Sequence, residues 1–342
     1  MASVLVLFGG RSAEHEVSCL SAQAVAAALR TGGHQVGLVG IDKKGGWHLA
    51  QERNPLEAVG PEVHLDVPTG ALRGPHGDQI FEVVFPVLHG PFGEDGTIQG
   101  LFETVGIPYV GAGVLGSAVA MDKAVAKRLL REAGLPVAAW VVVRMDNFEN
   151  EPGALVSLIE DRIGFPNFVK PAGLGSSVGI TKVHSESELK DAIMLALEHG
   201  EKAMVEQAIA GREIEVGVLE GPRTSVPGEV IPNTEWYDYR AKYLDTGTQL
   251  LVPAPLTEAE AATARRLAAM AFEALEGSGL ARVDLLYEQG GRGFVVNELN
   301  TMPGFTPRSM FPLLWQASGM SYPELCDELV QLARSRRGGV RP

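Results

Sequence analysis

Ala281-Arg-Val-Asp-Leu-Leu-Tyr-Glu-Gln-Gly-Gly-Arg-Gly-Phe-Val-Val-Asn-Glu-Leu-Asn300 is the stretch on which the reading of this chain turns. Two apolar-rich runs, Ala281 to Tyr287 and Gly293 to Asn300, flank Glu288-Gln-Gly-Gly-Arg292, a spacing that predicts a β-hairpin. Successive strand side chains alternate between faces, so Glu298 and Asn300 share one face. If Asp284 pairs opposite Glu298, all three side chains converge on one patch. Carboxylates with an amide oxygen suit a hard cation such as Mg²⁺. They do not suit zinc, which favours Cys and His. Taken alone, the hairpin leaves a solvated polar face as an equal alternative.

On the N-terminal side of the hairpin, Thr257 with Glu260 has the pattern of a capping box that opens an alanine-rich helix running to Gly277. Before it, Pro222, Pro227 and Pro232 with an aromatic-rich stretch predict a long ordered loop. Tyr237-Asp-Tyr-Arg-Ala-Lys-Tyr243 in that loop has the polar-aromatic make-up of a lid, with a plain surface loop as the alternative. Glu213 to Leu219 and Ala203 to Val205 read as strands, and Ser185 with Glu188 as a further capping box. Lys170-Pro-Ala-Gly-Leu-Gly-Ser-Ser-Val-Gly179 joins two predicted strands. Such a Gly/Ser loop can fold its N–H groups over phosphates, although it lacks the Gly-Lys-Ser/Thr of a Walker A loop. Lys170 ends a buried strand, and a buried ammonium needs an anionic partner.

The first third alternates strands with helical spacings. Val4 to Phe8, Val36 to Ile41, Ile80 to Leu88 and Ile107 to Val110 read as strands of a parallel α/β sheet. Ser117 opens a helix that Gly134 and Pro136 close, and Val137 to Val143 reads as the next strand. Gly111-Ala-Gly-Val-Leu-Gly116 fits a dinucleotide fingerprint, but Arg144 and Met145 stand where that site wants an acid, so these glycines read as a tight turn. Ser12-Ala-Glu-His-Glu16 and His89-Gly-Pro-Phe-Gly-Glu-Asp-Gly96 follow the first and third strands, where open α/β sheets place ligand groups. For the first of these, an acidic opening turn of a helix is the favoured plain alternative.

Composition bounds the rest. The 342 residues predict two or three domains. The chain carries 29 basic and 42 acidic residues, a net charge of −13, which argues against a general nucleic-acid binder and against docking on anionic membranes. Cys19 and Cys326 are far apart and form no CxxC pair, so free thiols in a reducing cytoplasm are expected. No basic leader with a small-residue cleavage site opens the chain, and no apolar run reaches the roughly 20 residues needed to cross a bilayer.

These motifs together resemble D-alanine–D-alanine ligases of the ATP-grasp superfamily over essentially the whole chain. The resemblance rests on Gly9-Gly10 with Ser12 to Ser18, Leu88-His-Gly, Gly93-Glu-Asp-Gly-Thr-Ile-Gln-Gly100 and Met121-Asp-Lys123. It continues through Lys170-Pro, Gly175-Ser-Ser-Val-Gly179, Tyr239-Arg-Ala-Lys-Tyr243, Ala281-Arg-Val-Asp284 and Asn297-Glu-Leu-Asn-Thr-Met-Pro-Gly304. It implies an α/β fold, α+β in part: a Rossmann-like parallel α/β domain over 1–122, a central α+β domain over 123–210 and a C-terminal α+β domain over 211–342.

The resemblance also implies a reaction: ATP-dependent joining of two D-alanines through D-alanyl phosphate, for peptidoglycan precursors, in a cytoplasmic homodimer that binds neither nucleic acid nor membrane. ATP is implied to meet Lys123 and Lys170 at its phosphates, Glu206, Gln207 and Ile209 around adenine, and Glu213 at the ribose, with Ser176, Lys242, Asn297 and Glu298 also in its site. Gln207 departs from the lysine common at its position. Asp284, Glu298 and Asn300 match the ligands of a pair of Mg²⁺ ions, with Mn²⁺ as a substitute. Glu14 matches the anchor of the first ammonium; with Ser176 and Tyr243 it matches a trio that closes the lid loops. Arg282 and the Gly304 N–H match an oxyanion pair, while His89, Ser309 and Met310 match substrate contacts. Tyr243 favours D-alanine over D-lactate as second substrate.

Overall fold

The structure is a computed structural model that describes residues 1–51, 53–175, 178–233 and 247–336. Among the described residues, three sheets of four or five strands carry the architecture, with a small three-stranded sheet beside the first. In the first sheet, Ser3–Gly9 lies between Gln35–Ile41 and Val83–Val87, parallel to both, and Trp47–Leu49 adds an antiparallel edge. Its central strand is buried on both faces. Val4, Val6 and Phe8 point to one apolar cluster, Leu5 and Leu7 to another. The first cluster also holds Phe311, Trp315, Leu325 and Leu329, from the helices Met310–Ala317 and Tyr322–Ser335. The N-terminal sheet is therefore covered on one side by the end of the chain.

The second sheet runs Thr181–Val183, Asn167–Pro171, Lys202–Gln207, Trp140–Arg144, all antiparallel. The helices Pro152–Arg162 and Glu186–Leu197 bury Ile159, Leu189 and Ile193 against it. The third sheet runs Gln249–Leu251, Arg223–Ile231, Arg212–Leu219, Leu280–Glu288, Gly293–Asn300, again antiparallel. The helix Glu258–Ala274 presses Ala264, Leu267, Ala268 and Ala271 against one face of it. No helix among the described residues is long and apolar enough to cross a membrane.

Several local expectations are corrected. The proline-rich loop is in part the strand Arg223–Ile231; Pro227 sits where the register with the neighbouring strand shifts, a place that tolerates a missing N–H. The fourth strand reduces to a single bridge between Val84 and Tyr109, since Pro108 has no N–H with which to extend a ladder. The helix expected from Ser117 is two, Val114–Met121 and Lys123–Glu132, broken at the extended residue Asp122. The strand expected over Val137 to Val143 begins at Trp140, and Val137 instead bridges Val296 of the third sheet. Thr257 and Glu260 do form a capping box. At the other pattern Glu188 reaches back to the His184 N–H at 2.9 Å, and Ser185 caps nothing. The edge strand Trp47–Leu49 and the sheet of His64–Asp66, Ala71–Gly74 and Gly77–Gln79 were not expected; strands of three or four residues carry too little periodicity to read.

Asp122 accepts the N–H groups of Ala124 and Val125, both at 3.1 Å, and pairs with Lys202 of the second sheet. Asp122→Ala is expected to cost about 1 kcal/mol or more, seen as a lower midpoint of chemical denaturation. Asp122→Asn, which keeps the capping oxygen, should lose less.

Candidate active site

The hairpin pairs Asp284 with Glu298 and Arg282 with Asn300. The next strand places Glu215 opposite Asp284. One sheet face therefore carries Glu213, Glu215, Arg282, Asp284, Glu298 and Asn300, while Ala281, Val283, Leu285 and Tyr287 alternate into the core. The register shifts after Asp284, where Leu285 pairs with Val296 and Asn297 is skipped. That bulge lets the adjacent residues Asn297 and Glu298 both line the cleft.

Arg282 donates from Nε and Nη2 to the two oxygens of Asp284, each at 2.7 Å, and its Nε lies 2.9 Å from Glu215. The Asn300 amide is 2.9 Å from Asp284. Two carboxylates and an amide, all oxygen-bearing and converging on one partly exposed patch, fit a hard cation. The Asn300 amide offers its oxygen to the patch once turned over, since its two ends differ only in hydrogen-bond role. Among the described residues no group of three or more His, Cys, Asp or Glu is placed to hold a metal ion, so a cation here would need the Asn300 oxygen beside the carboxylates.

Opposite the acids stands a cationic wall. Lys123, Lys170 and Lys182 line the same cleft of about 480 Å³ between the second and third sheets. Lys123 Nζ is 3.5 Å from Glu298 and donates to the Leu174 carbonyl at 2.7 Å. Lys170 finds the anion its position requires: Glu206, at 2.5 Å. In the ladder Lys170 faces Met204, so Glu206 is its diagonal neighbour on the same face. The buried Lys127 reaches Glu206 from the helix Lys123–Glu132. Burial opposes charge on all three groups. The paired lysines nevertheless hold the Glu206 carboxyl below its ordinary range, and Glu206 holds Lys170 above its own. At Lys127 burial wins and lowers it. Pro166, Phe168, Ile180, Ile209 and Leu286 give the cleft an apolar side, and Gln207 is fixed at 3.0 Å by Arg292. A volume of this size lined by several lysines and by apolar walls suits a nucleotide.

The N-terminal loops meet the same region. Ser12 donates to the His89 carbonyl at 2.7 Å and accepts the Glu14 N–H at 3.2 Å, tying the two motif loops together. Glu14 is buried. A Cβ on Gly90 would stand 2.7 Å from the Glu14 carboxylate, and one on Gly175 would stand 3.7 Å from it. Glu14 thus sits between its own domain and the Gly/Ser loop of the second sheet, and Gly90, at φ +73°, has no room for a side chain. Glu94 accepts N–H groups from Gly90 and Met302 at 2.7 and 3.1 Å; burial first, then Glu14, push its carboxyl up to about 8. His89 is buried and held below its usual range by desolvation.

Gly304 lies beside Ser309, whose hydroxyl accepts the Thr306 N–H at 3.1 Å. Met310 packs with Val230 and Leu314 in a small apolar cluster. Glu213 lines the cleft near Lys170. Ser176, Lys242 and Tyr243 lie outside the described residues. Sequence reasoning missed Lys127 and Glu215. Both had a signal: Lys127 is one helical turn from Lys123, and Glu215 is two residues from Glu213 on a strand.

Comparison with known proteins gives the family. Residues 3–112 match the family model of the D-ala D-ala ligase N-terminus, and residues 129–331 that of the D-ala D-ala ligase C-terminus. The chain is 47% identical to a D-alanine–D-alanine ligase of Thermoanaerobacter over 96% of each chain. It is 44% identical to one of Bacillus velezensis, over 96% of this chain and 97% of the relative. Among solved structures, the VanG D-Ala:D-Ser ligase of Enterococcus faecalis superposes with a TM-score of 0.86 at 34% identity, covering 97% of this chain and 99% of that one. The D-alanine–D-alanine ligase of Coxiella burnetii gives 0.85 at 33% identity, covering 97% and 93%. A match this long, with both family segments in order along the chain, places the chain in the D-alanine–D-alanine ligase family.

Proposed function

We propose that this protein is a D-alanine–D-alanine ligase, which joins two D-alanines with the consumption of ATP. The observation that carries this reading is the cleft. Lys123 and Lys170 face Asp284, Glu298 and Asn297 across it, with Arg282 on the same sheet face, in a chain that matches its relatives from end to end.

A carboxylate is a poor electrophile, so it must first gain a leaving group. The first D-alanine carboxylate takes the γ-phosphoryl group of ATP, giving D-alanyl phosphate and ADP. This step is mostly positioning and charge neutralisation. Lys123 and Lys170 hold the phosphates. Asp284, Glu298 and Asn300 would hold Mg²⁺, which would neutralise phosphate charge when bound. The Glu206 side chain is committed to Lys127 and Lys170, so the backbone of 206–209, rather than that carboxylate, faces adenine, and Glu213 takes the ribose. Glu14 binds the first ammonium.

The neutral amine of the second D-alanine then attacks the acyl carbon, the C–N bond forms, phosphate leaves and the amine loses a proton. Arg282 and the Gly304 N–H stabilise the oxyanion that develops at that carbon. The Glu215 anchor keeps Arg282 over the site when it releases Asp284. Ser176, Lys242 and Tyr243 belong to the closing loops in this reading, and Ser309 with the backbone at Met310 to the second substrate's carboxylate. Segments 1–122, 123–210 and 211–342 act as the three domains around the cleft, in a cytoplasmic homodimer.

Purified protein with ATP, Mg²⁺ and D-alanine is expected to release phosphate and form D-Ala-D-Ala. Much faster turnover with D-serine, D-lactate or L-alanine as acceptor would overturn the substrate assignment. Chelation of divalent ions should stop phosphate release, and added Mg²⁺ or Mn²⁺ should restore it; turnover that survives chelation removes the metal role from Asp284, Glu298 and Asn300. Arg282→Ala should lower kcat by about 100-fold or more while nucleotide binding survives. Unchanged kcat takes Arg282 out of the oxyanion role.

A further inference from the structure

The turn Met302-Pro-Gly-Phe305 leaves the third sheet and carries Gly304, yet its backbone is held from the first domain. The Met302 N–H donates to Glu94 at 3.1 Å. The Met302 carbonyl lies 2.9 Å from His89 Nδ1. The Phe305 N–H donates to the Ser21 hydroxyl at 3.3 Å, and that hydroxyl lies 3.3 Å from His89 Nε2. A carbonyl can only accept, so Nδ1 carries the proton. The neutral ring then accepts at Nε2 from the Ser21 hydroxyl, which is thereby oriented to accept from Phe305. Both ring nitrogens are spent on protein partners, and Ser21 and His89 are both buried. Glu94 closes the set by also accepting the Gly90 N–H at 2.7 Å, next to Glu14.

From these bonds we infer that Ser21, His89 and Glu94 are positioning residues, which clamp the Met302–Phe305 turn and so set the Gly304 N–H relative to the Glu14 loop. His89 acts through Met302 and does not touch substrate. The inference rests on the ligase reading for what Gly304 does, but not for the clamp itself. The physical reason for such a clamp is that an oxyanion donor must be preorganised, and this one lies on a turn rather than in a strand. A donor set by the first domain is aligned with the substrate which that domain binds.

The test exploits the shapes of two amides. In His89→Asn the amide nitrogen falls where Nδ1 stood, so the Met302 bond survives. In His89→Gln the amide falls where Nε2 stood, and that bond is lost. Amide hydrogen exchange across 301–306 and steady-state kinetics are measured on both, with Ser21→Ala and Glu94→Gln beside them. The expected result is that His89→Gln, Ser21→Ala and Glu94→Gln lose protection in the turn and drop kcat by about 100-fold, the cost of a small misplacement, with the KM for ATP little changed. His89→Asn should keep the Met302 bond and lose much less protection and kcat than His89→Gln, with its loss confined to Phe305, whose Ser21 partner no longer has the Nε2 acceptor. Gln rescuing kcat better than Asn, with the 301–306 amides exchanging faster in Gln, would mean that turnover does not follow the hold on the turn and would overturn the inference. Lost protection with unchanged kcat would overturn it too. If the unaltered protein showed no D-alanine-dependent turnover, the ligase reading would fall, and the exchange at Met302 and Phe305 would still decide the clamp.

Discussion

The pairing of Asp284 with Glu298 across the Leu280–Glu288 and Gly293–Asn300 hairpin is the constraint on which the site depends. Strand side chains alternate, so a slip of one residue would send Asp284 into the core and Val283 into the cleft. The buried row of Ala281, Val283, Leu285 and Tyr287 forbids that slip, because those residues are packed against the helix Glu258–Ala274. Hydrophobic burial on one face thus fixes the ionic face on the other. The bulge at Asn297 then adds one more polar group to the cleft than a regular strand could supply.

That face is crowded with acids, and the fold answers with paired cations. Arg282 lies between Glu215 and Asp284, and Glu206 lies between Lys127 and Lys170. Buried charges persist only when paired and hydrogen-bonded. In each cluster a group off the cleft lining holds groups on it: Lys127 braces Glu206 beside Lys170, and Arg282 braces Asp284 and Glu215. The net charge of −13 and the affinity for a polyphosphate are therefore compatible. A compact ligand needs only the few cations that line the cleft, Lys123, Lys170 and Lys182, whatever the net charge of the chain.

Much of the site was legible in the residues. The alternation Glu298-Leu-Asn300, the glycine-serine loop after Lys170 and the polar loops after the first and third strands each carried a local signal, because periodicity and turn chemistry act over a few residues. Other features had no local signal. The strand through Pro227 was hidden because its proline is tolerated only at a register shift made with a neighbour distant in sequence. The break at Asp122 was hidden inside a continuous helical pattern, and only its cap bonds mark it. His89 read as a ligand group, while its bonds to Ser21 and Met302 spend both of its nitrogens.

The sequence by itself determined most of the longer elements, the hairpin face that Glu298 and Asn300 share, and the family, since each rests on residue identity and short spacing. Tertiary structure alone decided which partners those residues meet. Lys170 needed an anion, but that the anion is Glu206, shared with Lys127, follows from strand pairing and helix placement. The end of the chain covers the N-terminal sheet, and the first domain grips the Gly304 turn, through contacts between residues more than 200 apart. The reason is physical. Burial and hydrogen bonding reward any group that fills the space or meets the donor, whatever its distance along the chain, so long-range partners are chosen by packing and leave no trace in local spacing.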